Sequence, residues 1–223
     1  MFSNITSILR NLQTDPGGTL VYLLMFAVCI LFSLIMHECA HGYVALKCGD
    51  PTAKWMGRLT LDPRKHLDPI GTICMLFLRI GWAKPVPINP RNFRHYRRDY
   101  ILVSLAGIAV NLVIFLISTI ITVLIYNHAN SSGWNYPFQF FIMLAQMNLS
   151  LAVFNLLPVP PLDGYRFLDQ FVFNGSLSMN VQTMRIVQII FLIVCVSGML
   201  NGLLTTVNST VFYTVFNFLR GIL

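Results

Sequence analysis

The stretch FSLIMHECAHGYVALKCGD, Phe32 to Asp50, sets two histidines and a glutamate near the end of a long apolar run. Glu38 is the only glutamate in the chain; the other acidic residues are aspartates. Desolvating a carboxylate and two imidazoles is costly, so ionisable groups inside an apolar run read as functional before they read as filler. His37 and His41 are four apart, and on a helix they project from one face and can grip one ion. Glu38 lies next to His37 and reaches a water beside that ion without ligating it. Zinc suits two imidazoles plus one carboxylate, with a fourth position left for water.

Working outward, the chain has 223 residues, 56% hydrophobic and only 10% charged. A soluble domain of this size carries roughly 25% charged residues. The deficit and the long apolar runs give an all-α polytopic membrane protein, a single membrane-embedded domain over residues 1–223 with about four to six helices. Four main spans are expected: Thr19 to Leu46, Tyr100 to Tyr126, Pro137 to Leu157 and Val181 to Leu200. The run from Thr205 to Leu223 reads as a fifth span or an interfacial helix. The N-terminal segment is polar and short of basic residues, unlike a signal peptide. Five cysteines without CxxC spacing read as small buried hydrophobes, Cys39 among them, on another helix face from the histidines.

Charge fixes the expected topology. Eleven of the fifteen basic residues lie between the first two spans, and the 127–136 loop has none. The positive-inside rule places the 47–99 segment in the cytoplasm and the histidine motif in the cytoplasmic half of the first span. The net charge of +7 is then a loop bias, with no nucleic acid implied. Within residues 53–92 a small strand-like or re-entrant element is expected. GRLTLD (Gly57 to Asp62) alternates like a strand, PIGTICMLFLRIGW (Pro69 to Trp82) is apolar but too short to span, and AKPVPINP (Ala83 to Pro90) is extended by its prolines.

A third ligand is needed. Asp50, Asp62 and Asp68 read as turn residues, and His66 and His95 as solvated among basic neighbours. Asp163 follows the helix-breaking prolines of NLLPVPPLDGYRF (Asn155 to Phe167), at the end of a span expected to run from outside to inside. It either caps the next helix or ligates; the depth shared with His37 and His41 favours the ligand. Asn111 and Asn155 are candidates for contacts to an oxyanion or the substrate backbone, or for hydrogen bonds between helices.

HECAHGYVALKCGDPTAKWMGRLTLDPRKHLDPIGT, GWAKPVPIN and NLLPVPPLDG together resemble the site-2 protease family of intramembrane zinc metalloproteases, in its compact prokaryotic branch without PDZ or CBS domains. The resemblance runs from about Phe32 to Leu168. It implies one Zn2+ held by His37, His41 and Asp163, with Glu38 as catalytic base. It also implies hydrolysis of a peptide bond in or near the transmembrane segment of a membrane-anchored protein substrate. The enzyme would sit in the lipid bilayer of a prokaryotic cell membrane, its active site towards the cytoplasm. One departure is LAGIAVNL, with Ile108 where the family often has proline and Asn111 retained; the helix there is expected to run straight. A non-proteolytic metal-binding protein or transporter is the competing class. A transporter would string ionisable groups across several spans, and the outer halves of these spans lack them.

Overall fold

The computed structural model describes residues 5–68, 71, 84–128, 135–177 and 180–223. The expected re-entrant piece at 69–82 and the centre of the 127–136 loop therefore lie largely outside the described residues.

Helix α1 (Ile5–Thr14) is followed at once by α2 (Pro16–Lys47), which Asp15 starts by accepting a hydrogen bond from Gly18 N–H at 2.9 Å. Pro16 opens α2, where its missing N–H costs nothing. Short turns α3 (Thr52–Trp55) and α4 (Pro63–His66) and a 3-10 turn (Pro90–Asn92) precede α5 (Tyr96–His128). Then come α6 (Asn135–Asn155), α7 (Asp163–Phe171), α8 (Val181–Ser197) and α9 (Asn201–Ile222). Helices α2, α5 and α6 are each long and apolar enough to cross a membrane. They contain the first three spans expected from the sequence, so the chain is an all-α multi-pass membrane protein.

The fourth expected span is one limb of a bent pair. Helix α8 ends at Gly198, whose φ of 78° takes the left-handed conformation that stops a helix, and α9 leaves at 73° to it. The pair passes the length and hydropathy test of a span only when both limbs are counted. The limbs pack differently. Phe212 of α9 joins Phe115 of α5 and Ala145 and Leu149 of α6 in one buried cluster, whereas α8 buries none of its residues. The apolar faces of α8, such as Ile189 and Ile193, are left exposed as lipid contact requires.

Polar pins hold the spans together where lipid gives no hydrophobic drive. Asn148 of α6 donates to Ser33 Oγ of α2 at 2.8 Å, and Asn208 of α9 donates to Ser150 Oγ of α6 at 3.0 Å.

The strand-like reading of GRLTLD and AKPVPINP is corrected. Among the described residues neither segment forms a ladder. One backbone bond, Lys84 N–H to His66 O at 2.7 Å, joins the two regions, and side chains supply the rest. Arg58 donates to Lys84 O at 2.6 Å, and the Thr60 carbonyl accepts from Cys39 Sγ–H at 3.3 Å. Pro85, Pro87 and Pro90 cannot donate to a ladder, so alternation without N–H groups gives pinned, irregular chain. His66, expected in solvent, is 1% exposed, with its Nε2 2.8 Å from the Thr60 carbonyl. Its basic neighbours point outward while the ring packs inward.

Candidate metal centre

Helical spacing brings His37 and His41 together on the buried face of α2, with their rings 4.6 Å apart and nearly perpendicular. Helix α5 packs directly over them. The contact is closest at Gly107: a Cβ there would stand 2.5 Å from His37 Cε1 and would overlap His41 Nε2 too. Only a residue without a side chain lets the α5 backbone pass so close to the imidazoles. Ile108 replaces the family's proline without a break, since α5 runs continuously from Tyr96 to His128.

Asp163 comes from the far end of the chain. The prolines at 158, 160 and 161 end α6 and turn the chain, and α7 begins at Asp163 itself. Position N-cap belongs to Leu162, and no side chain caps the helix, so Asp163 is not spent as a cap. At the other end of α7, Arg97 of α5 donates to the carbonyls of Gln170 at 2.9 Å and Phe171 at 3.0 Å. These bonds tie α7 to α5 and carry the Asp163 carboxylate, itself 5% exposed, to the histidine pair.

The three groups converge. Asp163 Oδ2 lies 3.2 Å from His37 Nε2 and 3.1 Å from His41 Nε2, and the two Nε2 atoms are 3.0 Å apart. His41 Nδ1 is 2.7 Å from the Val103 carbonyl, which only accepts, so Nδ1 carries the proton and Nε2 is a bare lone pair. Asp163 Oδ2 is buried without a hydrogen-bond donor. Electron-rich atoms facing one another in a desolvated site repel unless a cation lies among them. With bonds of 2.0–2.1 Å, ligands on tetrahedral zinc are separated by about 3.3 Å, close to the spacing seen. The donor set, two imidazoles and a carboxylate, also fits zinc, and these three are the one metal-competent cluster among the described residues.

Glu38 stands outside the cluster, partly exposed, its Oε2 accepting from Val86 N–H at 2.8 Å. Asn111 is fully buried, with its amide nitrogen 3.2 Å from His37 Nδ1 on the side of the ring away from Asp163. Asn155 donates to Leu151 O at 2.9 Å within its own helix, and no hydrogen bond links it to the cluster.

Three contributors escape a reading by motif. Gly107 left a signal, because glycine inside an apolar helix costs about 1 kcal/mol against alanine and needs a packing reason. The Val86 amide left none, since it is a backbone group from a distant segment. Asp50 read as a turn residue, yet it is fully buried. Its carboxylate accepts from Asn89 N–H at 2.7 Å, the Asn92 amide at 2.8 Å and Thr52 N–H at 3.1 Å. It thereby anchors the segment that carries Val86 to the end of α2.

Comparison with known proteins agrees with this chemistry. Residues 116–200 match the family described as Peptidase family M50. "Putative zinc metalloprotease YwhC" of Bacillus subtilis (strain 168) is 44% identical over 176 residues, 76% of this chain and 79% of its own length. Rip2 of Mycobacterium tuberculosis (strain H37Rv), which carries the same description, is 34% identical over 145 residues, 62% of this chain and 54% of Rip2. Rip2 of Mycolicibacterium smegmatis is 31% identical over 166 residues, 71% of this chain and 62% of its own length. No solved structure matches. With four-fifths of YwhC aligned and a helical membrane fold around a zinc-competent cluster, the chain belongs to peptidase family M50, the site-2 proteases, and is a zinc metallopeptidase.

Proposed function

We propose that the chain, as one membrane-embedded domain over residues 1–223, hydrolyses a peptide bond within or near the transmembrane segment of a membrane-anchored protein, in regulated intramembrane proteolysis. The observation that carries this reading is the convergence of Asp163 on His37 and His41, with Glu38 one residue away. His37, His41 and Asp163 hold the ion. When bound, zinc supplies the Lewis acid that activates water and polarises the scissile carbonyl.

Glu38 takes the proton of the attacking water and returns it to the leaving amine. Val86 N–H fixes one of its carboxylate oxygens and leaves the other free for that transfer. Asn155 keeps one amide hydrogen beyond its bond to Leu151 O, and we assign it to the oxyanion or the substrate backbone.

A helical substrate hides its carbonyls in i→i−4 bonds, so the peptide has to unwind before attack. The extended 84–89 stretch beside Glu38 offers a surface along which an unwound chain can lie. We place the protein in the cell membrane with the site towards the cytoplasm, because eleven of its fifteen basic residues fall between α2 and the first turn of α5.

The test compares membrane-protein fragments in cells carrying the wild type or Glu38→Gln. The reading expects at least one fragment of a membrane-anchored protein that disappears with the variant. Identical fragment patterns in the two strains would remove the proteolytic assignment.

A further inference from the structure

We infer that Asn111 is a positioning residue for His37, whose side-chain amide sets the tautomer that makes His37 competent to hold the metal. This rests on the assignment of His37 as a ligand.

The two histidines are held differently from behind. His41 Nδ1 faces the Val103 carbonyl at 2.7 Å, so its tautomer is fixed with Nε2 bare. His37 Nδ1 faces an amide nitrogen, Asn111 Nδ2, at 3.2 Å. The two ends of an amide have nearly the same shape, and with its nitrogen end towards Nδ1 the ring is not offered the acceptor that a metal-holding tautomer needs.

That acceptor is already in place. Asn111 Oδ1 is buried, has no hydrogen-bond partner and belongs to the same amide. A half-turn about the Cβ–Cγ bond exchanges Oδ1 and Nδ2 with almost no change of shape. Oδ1 then accepts from His37 Nδ1–H, and Nε2 is left as a lone pair. Metal-binding histidines generally donate their second nitrogen to such an acceptor, which fixes ring and tautomer.

An amide can donate to Nδ1 or accept from it, and accepting is the role that leaves Nε2 free for the ion. Leucine can do neither, and aspartate can only accept. Its place against the rear of the ring also sets Asn111 apart from a group that touches substrate.

Zinc dissociation constants, measured by chelator competition on the purified full chain, provide the first readout. Asn111→Leu is expected to weaken zinc roughly 10–100-fold, and Asn111→Asp to stay within about threefold of wild type. His37→Ala is the control for the reading beneath: zinc bound as in wild type there would defeat the ligand assignment itself. If His37→Ala loses zinc and Asn111→Leu keeps wild-type affinity while losing activity, Asn111 serves the substrate and this inference is overturned. The second readout needs no variant. Nitrogen-15 spectra of labelled histidine are expected to show His37 as the Nδ1–H tautomer in the zinc-bound wild type. The Nε2–H tautomer there would overturn the inference.

Discussion

The backbone N–H of Val86 donates to Glu38 Oε2 at 2.8 Å, so the only glutamate in the chain is steered from outside its own helix. Val86 is 6% exposed and packs near Gly42, where a Cβ would stand 2.9 Å from the valine side chain. The 84–89 stretch thus lies against α2 one turn beyond Glu38. Val86→Pro removes the donor in a stretch already flanked by Pro85 and Pro87. A hydrogen bond to a charged group is worth about 1.5–3 kcal/mol; the expected result is a fall in kcat of roughly tenfold or more. Zinc content, read by elemental analysis, stays at wild-type level.

Gly107→Ala places a methyl group against both imidazoles. Neither the α5 backbone nor the ring ends can yield without separating α2 from α5. Zinc affinity is expected to fall by at least about tenfold, a loss on the scale of disturbing the support of a metal ligand. Helix content, checked by circular dichroism, remains. Wild-type zinc binding in this variant would mean that the helices are further apart than described.

Asp163→Ala removes the carboxylate and leaves two facing imidazoles. The expected loss of zinc affinity exceeds the roughly 10–100-fold typical of changes to groups that only orient a ligand, as the ligand assignment of Asp163 requires. Chelator competition measures it, and full metal retention would return Asp163 to a structural role at the start of α7.

Asp50 gives a pH dependence. Burial alone would raise its carboxyl, but hydrogen bonds from Thr52, Asn89 and Asn92 outweigh burial and hold it below the ordinary carboxylate range. A lowered folded value means that the stabilisation is fully present above the ordinary value of about 3.9. It is lost as the pH falls below that, through the folded value. Asp50→Asn is therefore expected to lower the melting temperature at pH 7. The gap to wild type narrows in thermal scans taken below about pH 4. A gap that widens on acidification would contradict the sign.

The helical spans and the His37–Glu38–His41 motif were legible because both rest on local periodicity, one of apolar length and one of four-residue spacing. Asp163 was legible through an inference of depth, since the prolines after Asn155 end a span on the side expected to hold the histidines. Groups acting across the fold were less visible. The Val86 amide has no side-chain identity to read, and PVPIN looked strand-like because proline extends a chain as a strand does while withholding the N–H. His66, set among basic neighbours, reads as solvated, yet its ring turns inward to the Thr60 carbonyl. The fourth expected span, Val181 to Leu200, corresponds to α8, and only the bend at Gly198 that leads into α9 needs three dimensions to see.

The most direct measurement of the central claim sets zinc content beside peptide cleavage for wild type and Glu38→Gln, both purified and reconstituted in lipid. The account predicts one zinc per chain in each and a fall in kcat of about 10²–10⁴ in the variant, the usual worth of a general base. Cleavage by Glu38→Gln at the wild-type rate, or loss of its zinc along with its activity, would contradict the role of Glu38 as the base beside a site built by His37, His41 and Asp163.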